Sequence, residues 1–326
     1  MRLLAVDDDP VVLDLLTVVF GQDDMPDITC AQSADQALTM LEESDTRFDC
    51  LILDIEMPGM NGIKLCRKIR TMPDYRETPI LMLTSVRDRI KIESAFAAGA
   101  NDYVTKPFDV KEITTRIRVA KRMSETTESA PRLDPLLPAV DAEKGNHAFG
   151  IGCPVRLNHH EQLILPFSLG NYLSQLSRQA LDQCCVFAVR IEEIEALYNN
   201  CTSQEYAIAL GEIVDAIVEV VDHPNLLLAY EGKGMILAIS QGVEPPEWPE
   251  IEDRTHALLD SGSAVYTDGT PMDLRVSIGN PIPPYTNRNQ RVKKTFDRAI
   301  DRAMMRSRSN AALRSKMSGK SPAGVF

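Results

Sequence analysis

The chain has 326 residues, 44% of them hydrophobic, and a formal net charge of -12 at pH 7. That length exceeds one ordinary domain and that apolar content can fill two cores, so two domains are expected, while the acidic balance argues against nucleic acid as the bulk partner. No apolar stretch approaches the roughly 20 residues of a membrane-spanning helix, Met1-Arg2 leads into a strand pattern rather than a signal peptide, and seven cysteines without a C-x-x-C pair read as reduced core thiols of a cytoplasmic protein.

The first third of the chain alternates short apolar runs with helical patterns. Residues 3–6 make a strand that ends in Asp7 and Asp8. A helix is predicted over 10–20, with Pro10 at a tolerated first-turn position. Residues 28–30 form a short strand, and Ser33 caps a helix through Glu43 whose Ala37, Leu38 and Leu41 share one face. The stretch 48–62, FDCLILDIEMPGMNG, is the most informative: an apolar run leads into Asp54, and Pro58, Gly59 and Gly62 follow. A run of this kind bounded by turn formers reads as a strand buried on both faces. A helix over 62–70, a strand over 80–83 ending at Thr84, a helix over 87–97 with Gly99 as its C-cap, a strand over 103–105 followed by Lys106-Pro107, and a helix over 110–122 complete five repeats. Such alternation makes an α/β, (βα)5 doubly wound parallel sheet covered on both faces.

Open sheets of this class bind ligands beyond the carboxyl ends of their strands. Asp7, Asp8, Asp54, Thr84 and Lys106 would therefore meet at one sheet edge. Clustered carboxylates repel one another unless a cation sits among them, and a hard divalent ion such as Mg²⁺ suits oxygen ligands. A metal beside Asp54 would neutralise a phosphoryl group arriving on its carboxylate; Lys106 is placed to hold another phosphoryl oxygen and Thr84 to donate a hydrogen bond. The Lys106-Pro107 bond is a candidate for the cis form.

On Asp7-Asp8, Asp54 in DIEMPGMNG, Thr84 in LMLTS and Lys106-Pro107 in DYVTKPF, residues 1–123 resemble the receiver domain of two-component response regulators. The resemblance implies that Asp54 is the phosphoacceptor, charged by a sensor histidine kinase or a phosphotransfer protein. It also implies that Asp8, Asp54 and the backbone carbonyl of Glu56 bind Mg²⁺ with Asp7 helping through water, that Lys106 contacts the phosphoryl group, and that Thr84 and Tyr103 form a switch pair.

Residues 124–160 change character. Pro131, Pro135, Pro138, Gly145, Gly150, Gly152 and Pro154 break any long helix, so a linker is expected, with Leu133, Leu136 and Leu137 available to dock. His159-His160 lacks ligand-spaced partners and reads as surface. A second domain is expected over 161–310, with helices over 169–181, 204–221 and 292–306 and strands over 185–189, 226–230, 235–239 and 274–278. The two strands about the tight turn 231–234 read as a hairpin. This is an α+β order with a mainly antiparallel sheet. Residues 288–320 are basic, and 311–326 are expected to be a disordered tail.

The segment AYEGKGMILAIS is similar to the signature hairpin of GGDEF domains, the diguanylate cyclases, with Glu231, Gly232, Lys233, Gly234 and Met235 in place of Gly-Gly-Asp-Glu-Phe. Arg190-Ile191-Glu192 stands where that family has Asp-Ile-Asp, and VSIG at 276–279 and IDRAMMRSR at 300–308 match further motifs. A cyclase of this kind needs carboxylates to hold Mg²⁺; by the resemblance they fall on Arg190 and Lys233, which are cations. The family's guanine and phosphate contacts fall near Tyr198 and Asn199, and its product site falls on Asp222, His223, Pro224 and Asn225, where the pattern is absent. The implied output domain is not an enzyme and acts by binding an unidentified effector protein, with a homodimer as a further expected partner. Arg190 and Lys233 either bind an anion directly or belong to a disused site with Arg190 paired to a neighbour such as Glu192. Two alternatives remain in view: an active diguanylate cyclase or a cyclic di-GMP or GTP receptor, and a nucleic-acid-binding regulator working through the basic tail, a partner that the net charge makes unlikely.

Overall fold

The computed structural model describes residues 1–21, 25–44, 46–85, 89–126, 131–136, 143–223, 226–241 and 250–318. The chain divides into two compact units, Met1–Ala130 and Pro131–Phe326.

In the first unit β1 (Arg2–Val6), α1 (Pro10–Phe20), β2 (Asp27–Ala31), α2 (Ala34–Glu43), β3 (Cys50–Asp54), α3 (Gly62–Thr71), β4 (Ile80–Thr84), α4 (Arg89–Ala97), β5 (Asp102–Thr105) and α5 (Val110–Thr126) alternate as expected. All four strand pairings are parallel, in the order β2-β1-β3-β4-β5. Every residue of β3 is buried because alternate side chains enter two different cores. Leu3, Ala5, Ile52, Leu81 and Val104 pack with Leu13 and Leu16 of α1 and Ile113 and Ile117 of α5. Leu4, Leu51, Leu53 and Met82 are buried on the opposite face. Side chains close the helix starts: Asp9 accepts from Val11 N–H at 2.9 Å, Ser33 from Gln36 N–H at 3.2 Å and Asn61 from Lys64 N–H at 2.9 Å. The expected start of α4 at Arg87 lies outside the described residues.

The strand order reverses direction between β1 and β3, so α1 and α3 leave on opposite faces and a crevice opens at the carboxyl ends of these two strands. Asp7 and Asp8 follow one strand and Asp54 ends the other.

The second unit contains β6 (Arg132–Leu133), β7 (Arg156–Leu157), α6 (Pro166–Gln175), α7 (Arg178–Leu181), β8 (Cys184–Ile191), α8 (Ile194–Asn200), α9 (Ser203–Val221), β9 (Leu227–Gly232), β10 (Met235–Gln241), α10 (Glu250–Ser261), β11 (Val276–Ile278) and α11 (Arg291–Ser318). Its main sheet is antiparallel in the order β11-β8-β10-β9. A strand-helix-strand-strand-helix-strand chain with the third strand between the first two is the split β-α-β arrangement. Phe187, Val189, Tyr230, Ile236 and Val276 pack on one face with Leu210, Ile213, Val214 and Ile217 of α9. On the other face α11 lies against β8 and β11, with Ala299 and Ala303 fully buried.

Three local expectations need correction. Residues 131–136 and 143–158 are not a free linker, because Leu133, Phe149, Val155 and Leu157 belong to the second core; proline and glycine break helices without preventing an extended chain from burying isolated apolar residues. Leu136 is 73% exposed, and Leu137 lies outside the described residues. The helix expected over 169–181 is two helices, since the Ser177 hydroxyl caps a new start by accepting from Ala180 N–H at 3.2 Å. Residues 311–318 continue α11 rather than forming a disordered tail, with Ala311, Ala312 and Leu313 favouring helix; residues 319–326 lie outside the described residues. Helices α8 and α10 carried no clear apolar period, because α8 has seven residues and α10 buries the polar Glu252 and Thr255 beside Ile251 and Leu259.

Candidate functional site

The crevice of the first unit collects the side chains that the sequence placed at its strand ends. Asp7 and Asp54 are 1% and 3% exposed, Asp8 is open to solvent, and oxygens of the three carboxylates lie within 4.8 Å of one another. The Lys106 Nζ is 2.5 Å from Asp7 Oδ2 and 2.8 Å from Asp54 Oδ1. Lys106 reaches the crevice from the turn after β5, where its backbone N–H donates to the Thr84 carbonyl at 2.7 Å. The Lys106-Pro107 bond is cis.

Burial is the largest influence on Asp54 and pushes its carboxyl above the usual range; Lys106 opposes that shift and the charge of Asp7 adds to it. Burial works against the ammonium of Lys106, but its hydrogen bonds to Asp54 and Asp7 outweigh it, so the group is held above its ordinary value. The site therefore holds a charged lysine against carboxylates in excess.

Thr84 ends β4 beside β3 and is fully buried. Tyr103, on β5, is 8% exposed and packs edge-on against Phe96 of α4, with ring centroids 6.1 Å apart and planes at 88°. Glu56 extends its side chain to Lys91 of α4, 2.6 Å away, and accepts from the Ser85 hydroxyl at 3.3 Å; the Lys91 hydrogen bond chiefly holds its carboxyl below the usual range. Lys91 was not legible from the sequence, since no strand end or turn motif marks it, and Ser85, although it follows the end of β4, gave no sign of its partner.

Gly62 shapes the crevice from below. A Cβ at this position would lie 1.9 Å from the Asp54 carbonyl oxygen, so only glycine lets the start of α3 approach β3. Arg70, unremarked in the sequence, is buried and donates to the carbonyls of Gly99, Tyr75 and Thr78 at 2.8–3.1 Å, tying the end of α3 to the loops around β4.

Residues 3–118 match the family described as response regulator receiver domain. The N-terminal unit is a response regulator receiver domain. The DNA-binding response regulator MtrA of Mycolicibacterium smegmatis is 40% identical over 124 residues, which cover 38% of this chain and 52% of that protein. The transcriptional regulatory protein YvrH of Bacillus subtilis is 34% identical over 129 residues, covering 39% and 52%. A solved structure of a putative response regulator from Chloroflexus aurantiacus J-10-fl is 36% identical, covers 37% of this chain and 97% of that one, and has a TM-score of 0.35. The chain spans about half the length of the curated relatives it matches. No helix among the described residues is long and apolar enough to cross a membrane.

In the second unit the hairpin expected at 231–234 forms between β9 and β10, with φ of +91° at Gly232, +51° at Lys233 and +74° at Gly234. Glu231 and Lys233 are exposed, Met235 is buried, and the register sets Met235 opposite Arg190 of β8. Arg190 and Lys233 thus come together, but through the backbone: Arg190 Nη1 donates to the Lys233 carbonyl at 3.2 Å. The expected pairing of Arg190 with Glu192 is replaced, since Glu192 accepts from the hydroxyls of Ser277 at 2.5 Å and Ser307 at 3.0 Å. His159 is exposed as expected, whereas His160 is partly buried, with Nε2 3.2 Å from Asp215. Of the residues aligned with the product site, Pro224 and Asn225 lie outside the described residues.

Proposed function

We propose that this chain is a two-component response regulator in which Asp54 accepts a phosphoryl group from a sensor histidine kinase or phosphotransfer protein, and in which the second unit is a catalytically inactive GGDEF-like output that signals by binding a protein. The observation that carries the input half is Lys106 bridging Asp7 and Asp54 at the crevice between β1 and β3. Three carboxylates against one ammonium leave the cluster with net negative charge and only oxygen donors, a set that fits Mg²⁺. Asp8, Asp54 and the Glu56 carbonyl would hold that ion, with Asp7 acting through water. When bound, it supplies charge neutralisation for the incoming phosphoryl oxygens.

The rest of the chemistry belongs to the chain. An Asp54 oxygen attacks phosphorus, the P–N bond to the donor imidazole breaks, and an acyl phosphate forms. Lys106, now hydrogen-bonded to Asp54 Oδ1, follows the negative charge onto a phosphoryl oxygen. The new group brings roughly two negative charges. The Thr84 hydroxyl then donates to it, and Tyr103, packed inward on Phe96, keeps the β4–β5 surface in the arrangement that a partner reads. The test is labelling with a small phosphodonor and Mg²⁺: Asp54→Asn is expected to abolish it, and persistent labelling would refute the assignment.

For the output half, the resemblance aligns the metal-holding acids of a cyclase with Arg190 and Lys233, which cannot ligate Mg²⁺. Incubation with GTP is expected to yield no cyclic dinucleotide. A second reading is favoured by the curated relatives, one named as DNA-binding and one as a transcriptional regulator. It makes DNA a candidate partner despite the acidic net charge. Exposed Arg314 and Lys316, at the end of α11 in the basic tail, are the residues that would serve it. Salt-dependent DNA retardation that disappears on deleting residues 311–326 would favour this reading over protein binding.

A further inference from the structure

We infer that residues 145–153 are a built-in occupant of the pocket beside the β9–β10 hairpin, lying where a nucleotide would lie and closing that pocket to purine nucleotides. The inference rests on the proposed GGDEF-like reading, which aligns the metal-holding acids, and with them the phosphates that such an ion would bind, with Arg190 and Lys233 at the hairpin, and the guanine contact with the neighbourhood of Tyr198 and Asn199.

At the phosphate end, a glycine turn binds an anion through backbone N–H groups that point at it. Here the Lys233 N–H donates to the Ile151 carbonyl at 2.7 Å and the Gly234 N–H to the Tyr230 hydroxyl at 3.0 Å. The same Tyr230 hydroxyl is 2.7 Å from that of Tyr206, so it is fixed from behind. A Cβ on Gly232 would lie 2.4 Å from the Gly152 carbonyl oxygen. The strap thus passes so close to the turn that a methyl group does not fit between them, and a phosphate fits less well.

At the guanine end, a planar base needs aromatic faces and polar edges. The strap supplies its own. The His147 ring lies 4.2 Å from that of Tyr198 and 5.1 Å from that of Phe149, centroid to centroid. Its Nε2–H donates to the Tyr198 carbonyl at 2.7 Å, and Nδ1 lies within hydrogen-bond distance of the Ser203 hydroxyl, at 3.0 Å. Phe149 is 8% exposed and packs edge-on against Tyr198, at 5.9 Å and 79°, and beside Tyr206 at 5.8 Å. The Tyr198 hydroxyl donates to the Phe149 carbonyl, and Gly145 N–H to the Cys201 carbonyl at 2.9 Å. Displacing the strap would expose Phe149 and break hydrogen bonds at both ends of the pocket. A tethered segment of this length also competes with a free ligand at an effective concentration on the order of millimolar.

The test is amide hydrogen exchange on the full chain, together with calorimetric titration of GTP and of cyclic di-GMP. The Lys233 and Gly234 amides are expected to be protected like those of β10, and neither nucleotide at roughly millimolar concentration is expected to bind or to change that protection. His147→Ala, which removes the anchor to Tyr198 and Ser203, is expected to speed exchange at Lys233 by roughly tenfold while the amides of β1 are unchanged. Lys233 exchanging like an exposed loop in the wild-type chain, or indifferent to His147→Ala, would overturn the inference. Tight GTP binding without turnover would also overturn it, yet leave the inactive-output reading standing; conversion of GTP to a cyclic dinucleotide would overturn that reading itself. Should His147→Ala fail to fold, the exchange pattern and titrations of the wild-type chain decide the matter alone.

Discussion

Asp54 is pulled in opposite directions by its surroundings: burial and the charge of Asp7 disfavour its ionised form, and Lys106 favours it, with the balance lying toward a raised pKa. A carboxyl whose folded pKa is raised imposes its full cost to stability above the folded value, and the cost shrinks as pH falls from there and is gone below the unfolded pKa. Asp54→Asn is therefore expected to raise the urea midpoint of the metal-free receiver at pH 7, with the gain shrinking on acidification; a lowered midpoint at pH 7 would contradict this. Gly62 works by absence of a side chain. With a Cβ at 1.9 Å from the Asp54 carbonyl oxygen, Gly62→Ala must shift β3 or α3, and a loss of about 2 kcal/mol or more in urea unfolding is expected, with weaker phosphodonor labelling because the acceptor strand moves.

Helix α9 starts in a reciprocal cap. The Thr202 hydroxyl accepts from Glu205 N–H at 3.2 Å, and the Glu205 carboxylate accepts from Thr202 N–H at 2.7 Å, closing a capping box. The other carboxylate oxygen takes the N–H and hydroxyl of Thr267, each at 2.6 Å, so the same residue pins the loop before β11 to the helix start. Burial opposes the charge of Glu205, but these hydrogen bonds prevail and hold its carboxyl below the usual range. A depressed folded pKa means that the contribution is complete above the unfolded pKa and lost as pH falls through the folded value. Glu205→Ala is expected to destabilise the second unit by about 2 kcal/mol at pH 7, with the difference from wild type fading under acid, as read by denaturant unfolding at both pH values. Elsewhere in this unit, Arg306 binds Glu252 through Nε and Nη2 at 3.0 and 2.9 Å, and Asn310 joins them at 3.0 Å, which fixes α11 against α10 until the helix runs out into solvent at residues 311–316.

Each unit of the molecule closes a hydrophobic core of its own. The acidic cluster draws all its members from the first of them. Residues 1–130 expressed alone are thus expected to fold and to show a Mg²⁺-dependent rise in Tm of roughly 5 °C at about tenfold excess over Kd. Asp8→Ala is expected to remove that rise, and residues 131–326 alone to show none. A shift of equal size in the second unit would place a divalent-ion site where the proposed function has none.

The sequence by itself determined what depends on a short-range repeat. A buried parallel strand must be apolar throughout, and turn formers must follow it, so β1, β3 and β4 were legible to within a residue, with Asp7, Asp8, Asp54 and Thr84 at their ends. Lys106 was legible because it sits at the turn after a strand of the same kind. The β9–β10 hairpin was legible for the same reason, through its glycines. Tertiary structure decided what has no repeat. Leu133, Phe149, Val155 and Leu157 are buried singly along an irregular stretch whose prolines and glycines argued for a linker, because burial there is conferred by what the chain crosses and not by its own periodicity. The partners of Arg190, Glu192 and Lys91 were equally hidden, since a long charged side chain reaches several candidates and only the packed neighbours select one.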